Sequence, residues 1–322
     1  IVKEKEKIYE TEIENLFEKI DQKSYFNKEY NFRKNIEVLT LDNKGNSIFM
    51  PIVYIMRHNC NKKMFRINFT NNWYIDITED HSLMGYQSTK HCQSKKLKKD
   101  TMSRIIEIKP EEIKKKANSI ITLKKIPNIN HSLREYPKEV YEFMGYFIGD
   151  ESFMRNKSNN KYDKDYYLRL SLGIDKEEIF IKLIEPLKKL EYIKSHWWSN
   201  IRKGDLTING LKLVNLISKD FRNKNGKKII PEWLFDESEE NIASFLRGLF
   251  SADGCVMIRN NAPIIKFTSI YDNYIEQVRK LLYRVGISHS VFKENSINKY
   301  KDKKTNKTFS SGSQSKNIIL KN

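Results

Sequence analysis

The stretch Phe245-Leu-Arg-Gly-Leu-Phe-Ser-Ala-Asp-Gly254 combines an amphipathic helical pattern with small residues one turn apart, Gly248 and Ala252. The helical pattern ends at Asp253-Gly254, where an acid meets a residue that commonly terminates helices. Because residues four positions apart share a helix face, the small pair lets a second helix backbone approach closely. The stretch therefore predicts a tightly packed helix that carries a carboxylate at its C-terminal end.

A second copy of this pattern lies upstream, in Phe143-Met-Gly-Tyr-Phe-Ile-Gly-Asp150, with Gly145 and Gly149 at the same spacing. If the two helices pack on each other, Asp150 and Asp253 emerge side by side. Two carboxylates at the negative ends of helix dipoles repel each other, and hard divalent cations with oxygen ligands would relieve that repulsion. The alternative is a pair of ordinary core helices with capping acids. The presence of two copies, each followed by similar strand and helix patterns, favours the cation site.

The two copies resemble the LAGLIDADG motif of homing endonucleases. The resemblance implies an α+β fold, in which two such helices form the interface of a pseudo-symmetric pair of αββαββα units. It also implies that Asp150 and Asp253 hold Mg²⁺ where DNA is cleaved. The first copy departs from the motif at Glu151, where glycine is usual; the departure concerns the helix end and leaves the acid in place.

The composition points to a folded partner of nucleic acid. The 322 residues carry a net charge of +18, with seventeen Tyr and seventeen Phe, which argue against disorder. An anionic membrane surface would be a competing partner, but no apolar run approaches membrane-spanning length, and no secretory signal is visible. Cys60, Cys92 and Cys255 show no paired spacing, which fits a reducing, cytoplasmic location and argues against a zinc site.

Residues 1–92 have the pattern of a meandering all-β module. One short helix is predicted over Glu12–Ile20, and Asn/Gly turns are predicted at Asp42–Gly45 and Asn71–Asn72. The apolar, β-branched runs that predict strands are Ile36–Leu41, Ile48–Ile55, Lys63–Phe69 and Trp73–Ile77.

The β-rich segment ends in Thr78-Glu-Asp-His81. A Thr and a His three residues apart can polarise a peptide bond together, because His can protonate a leaving amide nitrogen and Thr can donate a hydrogen bond. A structural histidine is the alternative, and this spacing by itself favours that alternative.

The runs Leu39–Gly45, Tyr54–His58 and Phe69–Tyr86 are similar to the N-terminal splicing half (Hint module) of an intein, and most similar to inteins of archaeal family-B DNA polymerases. The resemblance covers nearly the whole chain. It implies that Thr78 and His81 assist the first acyl shift of splicing, and that the host protein is a DNA polymerase. It also implies that the nucleophile and the cyclising Asn of splicing lie outside Ile1–Asn322, so that this chain does not splice alone.

Residues 93–137 are rich in lysine and are punctuated by Pro110, Pro127 and Pro137. They are interpreted as a connector between modules. The lysines either form a solvated surface or contact phosphates beside a DNA-cutting core, and the sequence leaves both interpretations open.

Residues 138–230 and 231–322 are predicted to be the two endonuclease repeats, the second of them incomplete. In the first, Tyr167–Gly173 alternates, so that Leu168, Leu170 and Leu172 face one way and Arg169 and Ser171 the other. Such a sheet can cover a core with one face and lie on DNA with the other. The candidate DNA-binding residues are Arg169, Ser171, Lys203, Arg259, Lys266 and Thr268.

The segment Lys227-Lys-Ile-Ile-Pro-Glu-Trp233 joins the two repeats. In endonuclease-bearing inteins a block of this form carries a lysine that acts beside the metal site, and the resemblance assigns that role to Lys228. Such a lysine can orient or deprotonate the attacking water, or neutralise the cleaved phosphate. A surface lysine in a linker is the alternative.

Together these patterns predict a monomeric, Mg²⁺-dependent DNA endonuclease embedded in an intein, with Asp150, Asp253 and Lys228 as catalytic residues. Its substrate would be a long, asymmetric site in double-stranded DNA. Two other functions remain open. One is a splicing element whose endonuclease has decayed, and the other is a LAGLIDADG protein that binds nucleic acid, as a maturase does, without cutting.

Overall fold

The computed structural model shows a mixed α and β protein, as the sequence predicts. It describes residues 1–5, 7–17, 22–42, 46–69, 74–87, 105–113, 117–122, 125–127, 134–149, 151–155, 166–172, 176–199, 204–221, 223, 227–259, 261–301 and 308–320. The chain forms two compact units, Ile1–Pro127 and Asn128–Asn322. No helix in these described ranges is long and apolar enough to cross a membrane.

Unit one, Ile1–Pro127, consists mainly of short antiparallel strands. Its strands are β1 Val2–Glu4, β2 Lys7–Tyr9, β3 Gln22–Tyr25, β4 Lys28–Asn31, β5 Ile36–Leu41, β6 Ser47–Pro51, β7 Ile55–His58, β8 Met64–Asn68, β9 Tyr74–Thr78, β10 Leu83–Gln87, β11 Ile105–Ile108 and β12 Ala117–Ile120. They form four small sheets, with the strand orders β2-β1-β5-β6, β3-β4-β7, β8-β9 and β11-β10-β12. Val2, Leu16, Ile36 and Ile55 form a small apolar core.

Three local predictions for this unit differ from the structure. The helix expected over Glu12–Ile20 is a single 3₁₀ turn, Ile13–Leu16, in the described part of that range. The strand expected over Ile48–Ile55 is two strands, β6 and β7, which belong to different sheets. The stretch interpreted as a connector supplies β11 and β12, which pair with opposite edges of β10.

Unit two, Asn128–Asn322, contains helices and two four-stranded sheets. The helices are α1 Lys138–Gly149, α2 with its segments Lys176–Ile179, Phe180–Ile184 and Glu185–Lys189, α3 Leu211–Asp220, α4 Glu239–Asp253 and α5 Asp272–Arg284. The strands are β13 Glu151–Arg155, β14 Tyr166–Ser171, β15 Ser195–Trp198, β16 Asp205–Asn209, β17 Gly254–Arg259, β18 Ala262–Ser269, β19 His289–Lys301 and β20 Thr308–Leu320.

The two sheets of unit two share one connectivity. A helix leads into two paired strands, a second helix follows, and two further strands complete each sheet. The strand orders are β13-β14-β16-β15 and β17-β18-β20-β19. The register also matches, because Glu151 pairs with Leu170 in the first sheet and Gly254 with Phe267 in the second. Arg169 and Lys266 therefore occupy equivalent positions.

The core of unit two is one continuous apolar cluster around α1 and α4. Phe143 and Phe147 of α1, Phe245 of α4, Phe221 after α3 and Phe267 of β18 are fully buried in it. The alternating leucines of β14 contribute as predicted, because Leu168, Leu170 and Leu172 are buried. This core fixes the two helices that carry the acidic motifs.

Local chemistry accounts for the start of one helix and for an irregular segment within another. The sequence suggests that α4 begins at Asp236, with Glu239 completing a capping box. In the structure Ser238 is the N-cap, and its hydroxyl accepts a hydrogen bond from the amide of Asn241 at 3.2 Å. In α2 the segment Phe180–Ile184 is wound as a π-helix just before Pro186, which cannot donate to the carbonyl four residues back.

Candidate active site

The helices α1 and α4 pack with their backbones in contact. A Cβ atom added at Gly145 would lie 1.9 Å from the carbonyl oxygen of Phe245, and one added at Gly248 would lie 1.9 Å from that of Glu142. No side chain larger than hydrogen fits at such distances. The small residues that the sequence places four apart are therefore the contact between the two helices.

The C-terminal ends of the same helices meet. A Cβ atom at Gly149 would lie 2.4 Å from the Cβ of Ala252 and 3.4 Å from the amide nitrogen of Asp253. Asp253 is the last residue of α4 and is exposed. Asp150, the other predicted acid, lies outside the described residues, immediately after Gly149.

Two ion pairs join the outer faces of the helices. The Arg247 guanidinium donates to the Glu142 carboxylate at 2.9 Å, and this hydrogen bond raises the pKa of Arg247. The Lys138 ammonium lies 3.6 Å from the Glu240 carboxylate. Exposed pairs of this kind contribute little stability, so the crossing is held chiefly by the close glycine contacts and the apolar core.

Lys228 lies at the end of α1. Its ammonium group donates a hydrogen bond to the carbonyl oxygen of Gly149 at 3.0 Å, and its side chain is half-buried. A cation is favourable at the negative end of a helix dipole. The predicted linker lysine is thus fixed one residue away from the first motif acid.

The residues at this helix junction fit a hard divalent cation in donor type. Asp253 offers an exposed carboxylate, and oxygen donors are what Mg²⁺ prefers. Within the described residues no group of three or more His, Cys, Asp or Glu side chains is arranged to hold a metal. A metal site here would therefore need further oxygen donors from outside the described side chains. The Asp150 carboxylate, directly after Gly149 in the sequence, is the nearest such donor.

The predicted DNA-facing residues of β14 are engaged with an acid. The Arg169 guanidinium donates to the carboxylate of Asp205, and the Ser171 hydroxyl donates to the same carboxylate at 2.6 Å. Asp205 lies on β16, directly opposite Ser171, and is 5% exposed. The three side chains form one cross-strand network in which Asp205 is nearly buried.

The equivalent positions of the second sheet carry a matching network. The Lys266 ammonium donates to the Glu294 carboxylate at 2.8 Å, and the Thr268 hydroxyl donates to the amide oxygen of Asn317 at 2.7 Å. Asn317 in turn donates to Glu294 at 2.6 Å. Hydrogen bonds from Lys266 and then Asn317 lower the pKa of Glu294.

Asp205, Glu294 and Asn317 belong to these networks, but the sequence analysis missed them as site residues. The alternation Asp205-Leu-Thr-Ile208 was a usable signal for Asp205, since it places Asp205 and Thr207 on one face. Lys203 and the side chain of Arg259, also predicted to bind DNA, lie outside what the structure describes.

The predicted splicing residues line a separate cleft in unit one, with a volume of ≈ 420 Å³. The Thr78 hydroxyl donates to the Asp80 carboxylate at 2.8 Å, and the Lys62 ammonium donates to the same carboxylate. The hydrogen bond from Lys62, and to a smaller extent the one from Thr78, lowers the pKa of Asp80 to about 2. His81 is exposed at the cleft, and its amide bonds to the carbonyl of Thr78 at 3.1 Å.

Residues 240–318, which run from α4 to β20, match the family model of a LAGLIDADG-like domain. The chain contains a LAGLIDADG-like domain. The match begins one residue into α4 and therefore includes the motif that ends at Asp253.

Proteins similar to this chain include enzymes of different chemistry. A DNA polymerase of Thermococcus sp. (strain GE8) is 40% identical over 324 residues, which cover 100% of this chain and 18% of the polymerase. A ribonucleoside-diphosphate reductase subunit of Bacillus subtilis (strain 168) is 34% identical over 100 residues, or 30% of this chain. The chain thus spans less than a fifth of the length of the polymerase that it matches.

Among solved structures, mesophilic variants of the homing endonuclease I-DmoI share 14% sequence identity with this chain. The superposition covers 57% of this chain and 88% of the other, with a TM-score of 0.36.

Proposed function

We propose that this chain is the endonuclease-bearing part of an intein and that it hydrolyses both strands of a specific double-stranded DNA site. The observation that carries the proposal is the contact of α1 and α4 through Gly145 and Gly248, which brings the two motif ends together. The chain's net charge of +18 suits a polyanionic substrate.

Asp150 and Asp253 are the proposed metal ligands, and Mg²⁺ is the proposed cation. When bound, the cation supplies Lewis-acid stabilisation of the attacking and leaving oxygens of a phosphodiester. The exposure of Asp253 at the end of α4 leaves its carboxylate accessible to a DNA backbone. Uncompensated, two acids at paired helix ends would repel each other, so the site favours positive charge.

Lys228 is the proposed catalytic lysine. Its hydrogen bond to the Gly149 carbonyl holds the ammonium beside the chain leading into Asp150. From there the ammonium can orient the attacking water or neutralise the charge that develops on the phosphate. Helix capping is the other explanation of the bond to Gly149, and the plasmid-cleavage rate of Lys228→Met distinguishes the two roles.

Arg169, Ser171, Lys266 and Thr268 are proposed to contact DNA, together with Lys203 and Arg259. The first four occupy equivalent positions on the second strand of each sheet. Their acidic partners, Asp205 and Glu294, hold the cations in fixed positions. A preorganised cation of this kind is suited to reading a base edge in the major groove, whereas mobile lysines suffice for phosphates.

Splicing is proposed for the longer protein, with Thr78 and His81 assisting the first acyl shift. The support is that similar segments occur inside enzymes as different as a DNA polymerase and a ribonucleotide reductase, as expected of a mobile insert. The proposed host is a family-B DNA polymerase. The proposed boundaries are 1–92 for the Hint part, 93–137 for a linking segment that also supplies β11 and β12, and 138–230 and 231–322 for the repeats.

The endonuclease proposal is tested with a supercoiled plasmid that carries an uninterrupted polymerase gene across the point where the relatives hold the matching segment. We expect a linear product in Mg²⁺ and none in EDTA. A plasmid with that point scrambled is the control. Binding without cutting in Mg²⁺ and in Mn²⁺ would contradict the proposal and favour a decayed or non-cutting LAGLIDADG protein.

A further inference from the structure

The sheet β3-β4-β7 of unit one has two faces of different character. Its register places Ser24, Glu29 and Arg57 in one row, and Asn31 and Ile55, both buried, lie on that same side. The opposite side is largely solvent-exposed. We define the aromatic face as Lys23, Tyr25, Lys28, Tyr30, Phe32 and Tyr54 on that opposite side and at its edge.

The rings of the aromatic face form one contiguous group. Tyr30 lies at its centre, with ring-centroid distances of 6.1 Å to Tyr25, 6.3 Å to Phe32 and 5.4 Å to Tyr54. Tyr25, Phe32 and Tyr54 are 54%, 39% and 48% exposed. The Tyr30 and Phe32 rings are nearly parallel, at 19°, whereas Tyr25 and Tyr54 meet Tyr30 edge-on. Exposed rings that hold one another in place offer apolar stacking surface at low cost in side-chain entropy.

Positive charge accompanies these rings. The Lys23 ammonium lies 5.8 Å from the centroid of Phe32, and Lys28 is directly opposite Tyr25 in the hairpin. His58, opposite Lys28 on β7, extends the same row. Glu29, the acid of β4, is on the other side, where it pairs with Arg57. The described side chains of this face therefore combine aromatic rings with cations and carry no carboxylate.

The hairpin turn adds one more exposed ring. Phe26 and Asn27 connect β3 to β4 with φ values of 47° and 60°, and Phe26 is 99% exposed. Turns of this kind favour Asn or Gly, and the left-handed region is costly for a bulky residue. Turn geometry therefore does not explain a phenylalanine at this position, whereas a stacking contact with a ligand would.

We propose that the aromatic face binds an unpaired DNA strand, whose bases stack on the rings and whose phosphates contact Lys23 and Lys28. Aromatic rings interleaved with cations are the usual means of holding single strands without sequence preference. The choice of DNA rests on the proposed endonuclease function, but the strand site itself lies in unit one and does not require cutting. An extended peptide is the other candidate occupant, and it would not need the two lysines.

The test measures the fluorescence anisotropy of a labelled oligo(dT) of about 15 nucleotides, a length that matches known single-strand sites. The full chain should bind it, and binding should weaken as salt rises. Phe32→Ser and Tyr54→Ser should each weaken binding about tenfold, the usual effect of losing one stacking ring. Phe32→Tyr, which keeps the ring, should bind as the unmodified chain does. Lys23→Gln should weaken binding and reduce its salt dependence.

Tyr74→Ser is the matched control, because Tyr74 is an exposed aromatic of unit one that stacks with Arg66 outside this face. Unchanged binding by Phe32→Ser and Tyr54→Ser, or an equal loss in Tyr74→Ser, would overturn the proposal. Tighter binding to oligo(rU) than to oligo(dT) would overturn the choice of DNA. Strand binding is measured in EDTA, where no plasmid cleavage is expected, so failure of the endonuclease proposal would be distinguishable from failure of this one.

Discussion

Arg169 and Lys266 are each held by a carboxylate from another strand, at matching positions of the two sheets. The first pair is more buried, since the side chain of Asp205 is 7% exposed and that of Glu294 is 52% exposed. A nearly buried acid that accepts from two donors matters to stability, because removing it takes a charged acceptor away from both of them.

Asp205→Ala should lower the free energy of unfolding by about 2 kcal/mol, because Arg169 and Ser171 lose their shared acceptor. Urea unfolding followed by circular dichroism measures this. Asp76→Ala is the control, since its cross-strand pair with Arg66 is exposed and should matter little. Equal effects of the two substitutions would contradict the proposed importance of the Asp205 network.

The Asp80 carboxylate should titrate with a pKa of about 2, below its usual 3.8, because Lys62 and Thr78 donate to it. Since the folded-state pKa is the lower one, the stabilisation is complete above pH 3.8 and is lost as the pH falls towards 2. Carbon-13 NMR of the carboxyl group measures the titration. Lys62→Met should raise the pKa towards 3.8, and Thr78→Val should raise it less. An unchanged pKa in Lys62→Met would refute the assigned cause.

Single residues could be predicted from the sequence where local pattern fixes their face. The alternation of β14 correctly separates Arg169 and Ser171 from the buried leucines. Their partner Asp205 could not be assigned in this way, because the contact depends on β14 pairing with β16 across an intervening helix and strand. Long-range register of this kind leaves no mark in a local window.

At the level of elements, the crossing of α1 and α4 determines the site. Helix propensity and packing make opposite predictions for alanine at Gly248. Propensity favours alanine over glycine by about 1 kcal/mol. A Cβ at 1.9 Å from the Glu142 carbonyl oxygen, however, must push the helices apart, and overpacking of this kind costs about 3 kcal/mol.

Gly248→Ala should therefore destabilise unit two, and the loss should appear as a lower urea midpoint. Ser251→Ala, on an exposed position of the same helix, is the control and should lie within about 0.5 kcal/mol of the unmodified chain. A stabilised Gly248→Ala variant would show that the helices do not cross as closely as the geometry requires.

The elements that the sequence predicted well are those with strong local periodicity. Both motif helices and the alternating strand β14 belong to this class. β13 was not assigned, because Glu151–Arg155 has no clear alternation. β11 and β12 were hidden in a lysine-rich context, and their role as strands comes from pairing with β10 rather than from composition.

At the scale of the whole molecule, we propose that binding DNA and cutting it are tasks of different side chains. Under the proposed function, affinity for DNA comes from the cations that produce the net charge of +18, whereas cutting depends on the acids proposed at the α1–α4 junction. Removal of one acid should therefore separate binding from cutting, and it also removes negative charge near the DNA backbone.

The most direct measurement compares Asp253→Asn with the unmodified chain in a gel-shift titration at several salt concentrations, run beside plasmid cleavage in Mg²⁺. We predict that the variant binds the target duplex at least as tightly, with the same salt dependence, and produces no linear plasmid. Loss of binding in the absence of metal would show that the carboxylate is structural. Retained cutting by the variant would contradict the assignment of the active site.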